Sequence, residues 1–329
     1  MTAPPLQRSL RADQALQASA APDSRVRLRL AALASHLLIA LVALVAIGGA
    51  TRVMQAGLAC PDWPLCYGSL LPSRQMNLQV FLEWFHRLDA FVVGVGLMVM
   101  AGASLHWRRS LPAWQPPLAI AAVLLVAAQG GLGALTVLQL LPSAVVSAHL
   151  LTALLLVALL SGCHQGLRHV PSPISAGSAV PCHGPSLAPR AGRWLTALAA
   201  LALVAVAAQS LLGGLMASQW AAGRCLSGGE GCSWLLAHRQ LARPVAAAVL
   251  AVAALFGWRQ PPQRPLALLV ALLVFAQIAL GVLSLRLSLA VPAVIVAHQI
   301  TAALLVAVLS ALVVRSALST PSSLELSHG

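Results

Sequence analysis

The chain has 329 residues, of which 59% are hydrophobic and only 8% are charged, and its mean hydropathy is +0.87. This composition excludes an ordinary soluble domain and indicates an integral membrane protein. The formal net charge of +13 comes entirely from arginine, because the sequence contains no lysine. Such a charge in a soluble domain would suggest nucleic acid, but here we interpret it as a signal of membrane topology and expect no nucleic-acid partner.

Residues 1–29 precede the first apolar segment. They contain arginine, alanine and serine, as mitochondrial transit peptides do, but Asp13 and Asp23 count against that interpretation. No short apolar stretch with a cleavage site precedes the first span, which argues against a removed secretory signal. We therefore expect residues 1–29 to form a disordered cytoplasmic arm.

Eight apolar segments are each long enough to cross a membrane, which takes about 20 residues per helix. They predict an all-α integral membrane protein whose eight transmembrane helices form two pseudo-symmetric four-helix bundles. A linker rich in Pro, Ser and Gly at 166–192 separates the halves 30–165 and 193–316, and 317–329 form a cytoplasmic tail. The predicted spans are 30–51, 82–106, 117–140, 143–165, 193–216, 234–257, 265–286 and 291–316.

The arginines sort by side of the predicted membrane. Thirteen lie in the N-terminal arm, the tail and the loops of one side, whereas the opposite loops carry only Arg52, Arg74, Arg224 and Arg286. Cytoplasmic loops carry the excess of positive charge. Both termini are therefore predicted to be cytoplasmic. The thirteen are Arg8, Arg11, Arg25, Arg27, Arg29, Arg108, Arg109, Arg168, Arg190, Arg193, Arg259, Arg264 and Arg315.

The two halves repeat each other at polar as well as apolar positions. The stretch that begins AQGGLGALTVLQLLPSAVVSAHLLTALL at Ala128 recurs as AQIALGVLSLRLSLAVPAVIVAHQITAALL at Ala276. A duplication that preserved only apolar periodicity would not need to keep histidines at lipid depth. The matched positions are Gln129 and Gln277, Gly133 and Gly281, His149 and His298, Thr152 and Thr301, His86-Arg87 and His238-Arg239, and Gly48-Gly49 and Gly213-Gly214.

The four repeated histidines, His86, His149, His238 and His298, share one depth. Counting from the predicted helix ends at 1.5 Å per residue, all lie roughly 6–10 Å below the outer face. Two facing imidazoles at one depth are what a bis-histidine haem requires, and facing helices of a bundle supply them. A lone histidine in an apolar helix is more often a hydrogen-bonded core residue, but four in two matched pairs favour ligation of two haems or metals.

Arginines follow two of these histidines. Arg87 and Arg239 come about 100° around the helix from the iron-facing side, so we expect them to contact haem propionates instead.

Two cysteine pairs lie in the outer loops, Cys60 with Cys66 and Cys225 with Cys232. The outer side permits disulfides, and the pairing in both loops favours one disulfide in each. Unpaired thiols remain an alternative, and a zinc site is less favoured because no histidine ligand lies near in these loops.

The halves differ at one carboxylate. Glu83 precedes His86 by one turn on the same helix face, whereas the matching position before His238 is Leu235. An ionisable side chain inside a membrane helix is by default a candidate functional residue. The alternative is an interface ion pair between Glu83 and Arg87. The asymmetry predicts chemistry in the N-terminal half and a fixed cofactor in the C-terminal half.

Three of these features together resemble the haem A synthase family: the string GGATRVMQAGLACPDWPLCYG, the motif EWFHR and the duplicated histidines. The resemblance covers about 30–316 and is to prokaryotic members, since mitochondrial ones lack the cysteine pair. It implies oxidation of the C8 methyl group of haem O to a formyl group, giving haem A for terminal oxidases. It also implies haem b as cofactor, and haem O synthase, cytochrome oxidase assembly proteins and an electron carrier as partners.

Carried over by position, the resemblance assigns a role to each site residue. His86 and His149 would ligate the substrate haem, and His238 and His298 would ligate haem b. Glu83 would be the essential acidic residue. The resemblance further implies the disulfides Cys60–Cys66 and Cys225–Cys232, with Cys60–Cys66 over the substrate site.

Two other classes share parts of this pattern. A dihaem b-type electron-transfer protein needs the same four histidines but has no use for Glu83 in one half only. A repeat-built transporter would place broken helices at mid-membrane, whereas the polar residues here lie near one face. The expected location is a prokaryotic plasma membrane, with the protein multi-pass and the haem sites toward the outer face.

Overall fold

The computed structural model describes residues 5–169, 189–217 and 232–319, with the backbone alone described for 5–23, 189–191 and Cys232. Within these ranges the chain forms eight long helices and no strand. Two short 3₁₀ turns, Arg108–Ser110 and Pro261–Gln263, precede the third and seventh helices. The helices are α1 Pro5–Val53, α2 Leu78–His106, α3 Gln115–Leu138, α4 Ser143–Arg168, α5 Pro189–Met216, α6 Cys232–Arg259, α7 Arg264–Arg286 and α8 Pro292–Leu318.

All eight helices are long and apolar enough to cross a membrane. This confirms the predicted all-α, eight-span class. Predicted and observed ends agree within about one helical turn, except at the start of α1. The agreement follows from the strength of the signal, because a stretch that must satisfy every backbone hydrogen bond internally while crossing lipid can hardly be anything but a helix.

Helix α1 reaches into the N-terminal arm. It begins at Pro5 and runs without a break into the first membrane span, and the disordered arm at 1–29 stays a prediction. Residues 5–29 contain no glycine and are rich in Ala, Leu, Arg and Gln, which are strong helix formers. The linker at 166–192 and the tail at 317–329 lie mostly outside the described residues.

The helices repeat one packing scheme in each half. In the first half α1 packs on α2 and α4, and α3 packs on α4; in the second half α5 packs on α6 and α8, and α7 packs on α8. The halves meet where α4 packs on α8, with α1 also against α8 and α4 against α5. Helix α8 has the largest buried share of the eight. Helices α4 and α8, which carry His149 and His298, thus form the centre of the molecule.

Two reciprocal hydrogen bonds join α4 to α8. Ser161 Oγ donates to the carbonyl of Ala307 at 2.7 Å, and Ser310 Oγ donates to the carbonyl of Ala158 at 2.6 Å. Each serine follows the histidine of its own helix by the same interval in sequence. Small polar residues at a helix interface allow close approach and supply hydrogen bonds across it. The reciprocity reflects the pseudo-symmetry of the two halves.

Large apolar side chains cover the outside of the bundle. Phe91, Ile39 and Leu268 are 68%, 66% and 71% exposed, and many leucines and valines on the same surface resemble them. A soluble monomer rarely exposes apolar patches of this extent. This surface is the part of the protein that faces the lipid.

The loop between α1 and α2 is held by covalent and hydrogen bonds. Cys60 and Cys66 form a disulfide with a Cα–Cα distance of 4.8 Å, and both side chains are buried. Asp62 accepts hydrogen bonds from the backbone N–H groups of Gly68 at 2.8 Å and Tyr67 at 2.6 Å. These bonds lower the pKa of the Asp62 carboxyl. The first predicted disulfide is confirmed, and we call the end of the bundle that carries it the disulfide end.

Candidate functional site

The four repeated histidines lie near the disulfide end of α2, α4, α6 and α8, each beside a glycine of the preceding helix. His86 is the most tightly placed, because a Cβ added at Gly48 would lie 2.8 Å from its Cε1 atom. Gly48, Gly213 and Gly281 therefore admit an imidazole ring where a larger residue would crowd it, whereas a Cβ at Gly133 would make an ordinary contact. The corresponding distances are 3.6 Å for Gly133 and His149, 3.0 Å for Gly213 and His238, and 3.1 Å for Gly281 and His298.

The structure brings His86 and His149 together. Their ring centroids are 6.5 Å apart and their planes are inclined at 72°. Imidazole nitrogens bind a metal such as zinc at about 2 Å, so two nitrogens on opposite sides of one ion are about 4 Å apart, and the ring centres are farther apart still. The observed separation thus fits one iron between the rings. His238 and His298 are likewise close enough to interact electrostatically.

Several of these imidazoles bury a nitrogen that has no hydrogen-bond partner among the described residues. The Nδ1 atoms of His86, His149 and His298 are of this kind. Buried polar atoms are nearly always paired, and each exception calls for an explanation. These three rings also lie beside the backbone of Leu44, Gln129 and Gln277, so the fit to a metal centre rests on the ring separation of His86 and His149.

Three glutamines contact three of the histidines, and two of them, Gln209 and Gln277, reach the imidazole ring. Gln129 Nε2 donates to the backbone carbonyl of His149 at 2.8 Å. Gln209 Nε2 donates to the backbone carbonyl of His238 at 2.7 Å and lies 3.0 Å from its Nδ1. The third, Gln277, has its Nε2 atom 3.2 Å from Nε2 of His298. Groups that hold the ring of a ligating histidine fix its orientation and tune its basicity.

The fourth histidine has no such glutamine. Aligning Gly48 with Gly213 places Leu44 of α1 where α5 has Gln209. His86 therefore has no glutamine side chain against it and meets the backbone of Leu44 and Gly48 instead, so the two halves differ in how they hold the histidine of their second helix.

A cavity of about 910 Å³ opens in the first half between α1, α2, α3 and α4. Both His86 and His149 line it, together with Glu83 and the residues of the disulfide-bonded loop. Its size is in the upper range of small-molecule sites, which are concave, mainly apolar and carry a few polar groups. The cavity is large enough for a planar macrocycle and has the two histidines in its wall.

Glu83 lies at the top of this cavity and is only 4% exposed. Its Oε1 accepts a hydrogen bond from Nη2 of Arg87 at 2.6 Å, and its Oε2 accepts one from the backbone N–H of Cys60 at 2.8 Å. The ion pair with Arg87 that we held open as an alternative is therefore present. The carboxylate nevertheless lines the same cavity as His86. Glu83 can therefore form the ion pair with Arg87 and also belong to the site.

Arg87 ties the loop to α2. Its Nη1 donates to the carbonyls of Asp62, at 2.6 Å, and Leu65, and its Nη2 reaches the carbonyl of Cys60 at 3.3 Å as well as Glu83. The guanidinium that we predicted to contact a propionate is thus already engaged by the protein.

The second half is only partly described near its disulfide end. Arg239 is exposed. Cys225 of the predicted pair Cys225–Cys232 and the side chain of Cys232 lie outside the described residues, as does most of the loop that would cap this half.

Sequence reasoning missed two residues of the first-half cavity. Gln299 belongs to α8 of the second half but lines this cavity, and its Oε1 packs so closely on α1 that a Cβ at Gly49 would lie 2.2 Å away. Arg52 lines the cavity from the last turn of α1. The repeated Gly-Gly pair is the sequence feature that could have identified Gln299. The second glycine of each pair contacts a residue of the other half, namely the residue directly after its histidine. For Gly214 that residue is Leu150.

The fold and the paired histidines define an eight-helix integral membrane protein with two internally related histidine pairs near one end of its bundle. Residues 31–310 match the family described as cytochrome oxidase assembly protein. Since the match covers most of the chain, the protein belongs to this family.

Individual relatives are similar over shorter stretches. A protein of Shewanella oneidensis named "Heme A synthase" is 34% identical over 197 residues, which are 55% of this chain and 54% of the relative. One of the same name from Methylobacterium nodulans is 34% identical over 155 residues, 42% of this chain and 41% of the relative. A third, from Novosphingobium aromaticivorans, is 28% identical over 148 residues, 35% of this chain and 42% of the relative. The matches thus span about half the length of these curated relatives.

Proposed function

We propose that this protein is a haem A synthase, which oxidises the C8 methyl group of haem O to a formyl group. The observation that carries the proposal is the asymmetry of the two halves. A buried carboxylate, Glu83, shares a cavity with the histidine pair of the first half, whereas its counterpart in the second half is Leu235. The names of the similar proteins support the same reaction.

In this proposal the first half binds haem O. His86 and His149 ligate its iron from opposite sides, in agreement with their 6.5 Å ring separation. Glu83 acts at the reacting carbon, where it takes up a proton or stabilises positive charge. The disulfide-bonded loop covers the cavity and keeps water from it, because Arg87 fixes the loop to α2 through its carbonyl groups.

The second half binds haem b through His238 and His298. Haem b, when bound, supplies electron transfer. Gly213 and Gly281 leave room for the imidazoles, and Gln209 holds His238 at its backbone carbonyl and at Nδ1. Arg239, which follows His238, is proposed to contact a propionate at the membrane surface.

The surroundings of the protein are also proposed. The arginine distribution supports a prokaryotic plasma membrane location with cytoplasmic termini and haem sites toward the outer face. Haem O synthase would deliver the substrate, assembly proteins of cytochrome oxidase would receive the product, and a separate electron carrier would complete the reaction. Reporter fusions at the two ends of the chain would test the orientation.

The second loop disulfide, Cys225–Cys232, is proposed on the same grounds as the first. Peptide mapping without reduction should recover a peptide joining the two cysteines. Recovery of Cys60 joined to Cys225 would contradict two independent loops.

A dihaem b-type electron-transfer protein is the second candidate, and the matched glycine–histidine contacts of both halves favour it. The experiment that separates the two functions is the identification by mass of haems extracted from membranes that contain haem O. For the synthase we expect haems O and A beside haem b in wild type. The carrier would contain haem b alone.

Variants of Glu83 sharpen this experiment. Glu83→Gln keeps the size of the side chain and removes its charge, and Glu83→Ala removes both, so both should stop haem A formation while haem O and haem b remain. Asp89→Asn is the matched control, because Asp89 lies on the same helix but is absent from the cavity wall. Normal haem A in both Glu83 variants would reduce Glu83 to an interface ion pair. Loss of haem b as well would indicate general misfolding.

A further inference from the structure

The last turn of α1 places an arginine in the wall of the first-half cavity. Arg52 is mostly buried, and its Nε atom is fully buried without a hydrogen-bond partner among the described residues. Its guanidinium donates no hydrogen bond within this part of the chain, in contrast to the fully engaged Arg87. Arginine cannot lose its proton in a protein, so the charge remains.

The charges around the cavity leave Arg52 uncompensated. Among the described residues the ion pair is Glu83 with Arg87 at 2.6 Å, which neutralises both partners. A cation with a buried, unpartnered donor such as Nε of Arg52 is unfavourable, because the lost hydration of that donor is not replaced. The unmatched charge of Arg52 therefore indicates that an anion belongs in this cavity when its ligand is bound.

The position of Arg52 matches an anion at the edge of a macrocycle. Gly48, four residues earlier, touches the imidazole of His86, so Arg52 lies about 6 Å nearer the disulfide end. The hydroxyl of Thr51 is 3.4 Å from the carbonyl of Leu82. Because Arg52 and Glu83 directly follow these two residues, they lie at the same level of the cavity.

We propose that Arg52 binds a propionate carboxylate of the substrate haem and thereby places the reacting methyl group beside Glu83. This inference rests on the proposed function. The planar guanidinium matches a carboxylate through two parallel hydrogen bonds. In the haem macrocycle the C8 methyl group shares its pyrrole ring with one of the propionates. An anchor on that propionate at the level of Glu83 therefore fixes the methyl group near the carboxylate.

The second half does not repeat this arginine. Aligning Gly48-Gly49 with Gly213-Gly214 places Ala217 opposite Arg52. The anchor is therefore particular to the half in which we place the substrate, as expected for a residue that selects how the macrocycle lies rather than whether iron is bound.

The test is a binding titration of the purified full-length protein, in detergent and with its second-half haem retained, using haem O and haem O dimethyl ester. Wild type should bind the free acid roughly 10- to 100-fold more tightly than the ester, the range for hydrogen bonds to a charged group. Arg52→Gln should weaken binding of the acid to the level of the ester and leave ester binding unchanged. Arg52→Lys keeps the charge but cannot form the two parallel hydrogen bonds of a guanidinium. Its affinity for the acid should lie between those of wild type and Arg52→Gln.

Arg286→Gln is the matched control, since Arg286 also lies in the last turn of its helix but is exposed and outside the cavity. It should retain the wild-type ratio of acid to ester affinity. An unchanged ratio in Arg52→Gln, or equal weakening of both ligands, would overturn the role of Arg52 and leave the synthase proposal standing. Tight, Arg52-dependent binding of haem O without haem A formation in membranes would overturn the synthase proposal alone. Failure of wild type to bind haem O would overturn both.

Discussion

Replacing Gly48 with alanine should disturb His86 more than any equivalent change disturbs the other three histidines. The new Cβ would lie 2.8 Å from Cε1 of His86, 3.4 Å from Nδ1 and 3.5 Å from Nε2. Carbon atoms in favourable contact are about 3.5–4.0 Å apart, so the ring must move by roughly 1 Å or α1 must separate from α2.

The cost can be estimated from two opposing effects. Forcing an extra methyl group into a packed interior costs about 1–3 kcal/mol, whereas exchanging glycine for alanine inside a helix returns about 0.5–1 kcal/mol. The net loss of about 0–2.5 kcal/mol corresponds to ligand binding at the His86 site that is weaker by up to roughly 60-fold. A haem titration followed by absorbance would measure this change.

The other glycines supply graded controls. The 3.0 Å contact at Gly213 and the 3.1 Å contact at Gly281 should give smaller effects in the second half, and the 3.6 Å contact at Gly133 should give almost none. Gly131→Ala is the neutral control, because nothing lies within 4 Å of its added Cβ. Equal effects at Gly48 and Gly131 would refute the idea that these glycines exist to admit the imidazoles.

Three further predictions follow from the described contacts. Gln209→Leu, which introduces the residue found at the matching position of the first half, should weaken haem retention by His238 roughly 10-fold or more. Haem content after dilution measures this, and wild-type retention in the variant would contradict the prediction. Ser161→Ala and Ser310→Ala should each cost about 0.6 kcal/mol of stability, and thermal unfolding of both single variants and the double variant should detect it; unchanged melting in all three would contradict the pairing. Because the pKa of Asp62 is lowered by its backbone donors, its stabilisation of the loop is complete above the unfolded value of about 3.9 and is lost as the pH falls through the lowered value. Limited proteolysis of the loop on acidification should report that loss in wild type and not in Asp62→Asn.

The sequence alone could predict the elements that repeat. The helix spans follow from hydropathy, and the candidate ligands follow from the repetition of His86 and His149 as His238 and His298 at one depth. The pairing of Cys60 with Cys66 could be predicted because both cysteines lie in one short loop. Each of these features depends on local spacing, which a single chain displays directly.

The residues that were missed depend on how the halves meet. Gln299 lines the first-half cavity only because α8 packs on α1, and nothing in the periodicity of either helix encodes that crossing. Arg52 was assigned to a loop because the predicted span ended at residue 51, whereas α1 continues to Val53 and carries Arg52 in its last turn. Because the predicted helix end was two residues too early, the prediction placed Arg52 in a solvent-exposed loop and not in the cavity wall.

The differences between the halves all concern how firmly each half could hold its ligand. The second half holds His238 through Gln209 at both its backbone carbonyl and its ring, which suits a group that stays bound, since such contacts limit the motion of a ligating histidine. The first half has Leu44 in place of that glutamine, yet it has a cavity of about 910 Å³, a buried carboxylate and an uncompensated guanidinium. A site that must admit a substrate and release a product can recognise the substrate by a charged group at its rim. A rigidly held ligating histidine would slow the exchange. Under the proposed function, both halves therefore share the glycine and histidine, while the polar residues around them differ according to whether the ligand stays or exchanges.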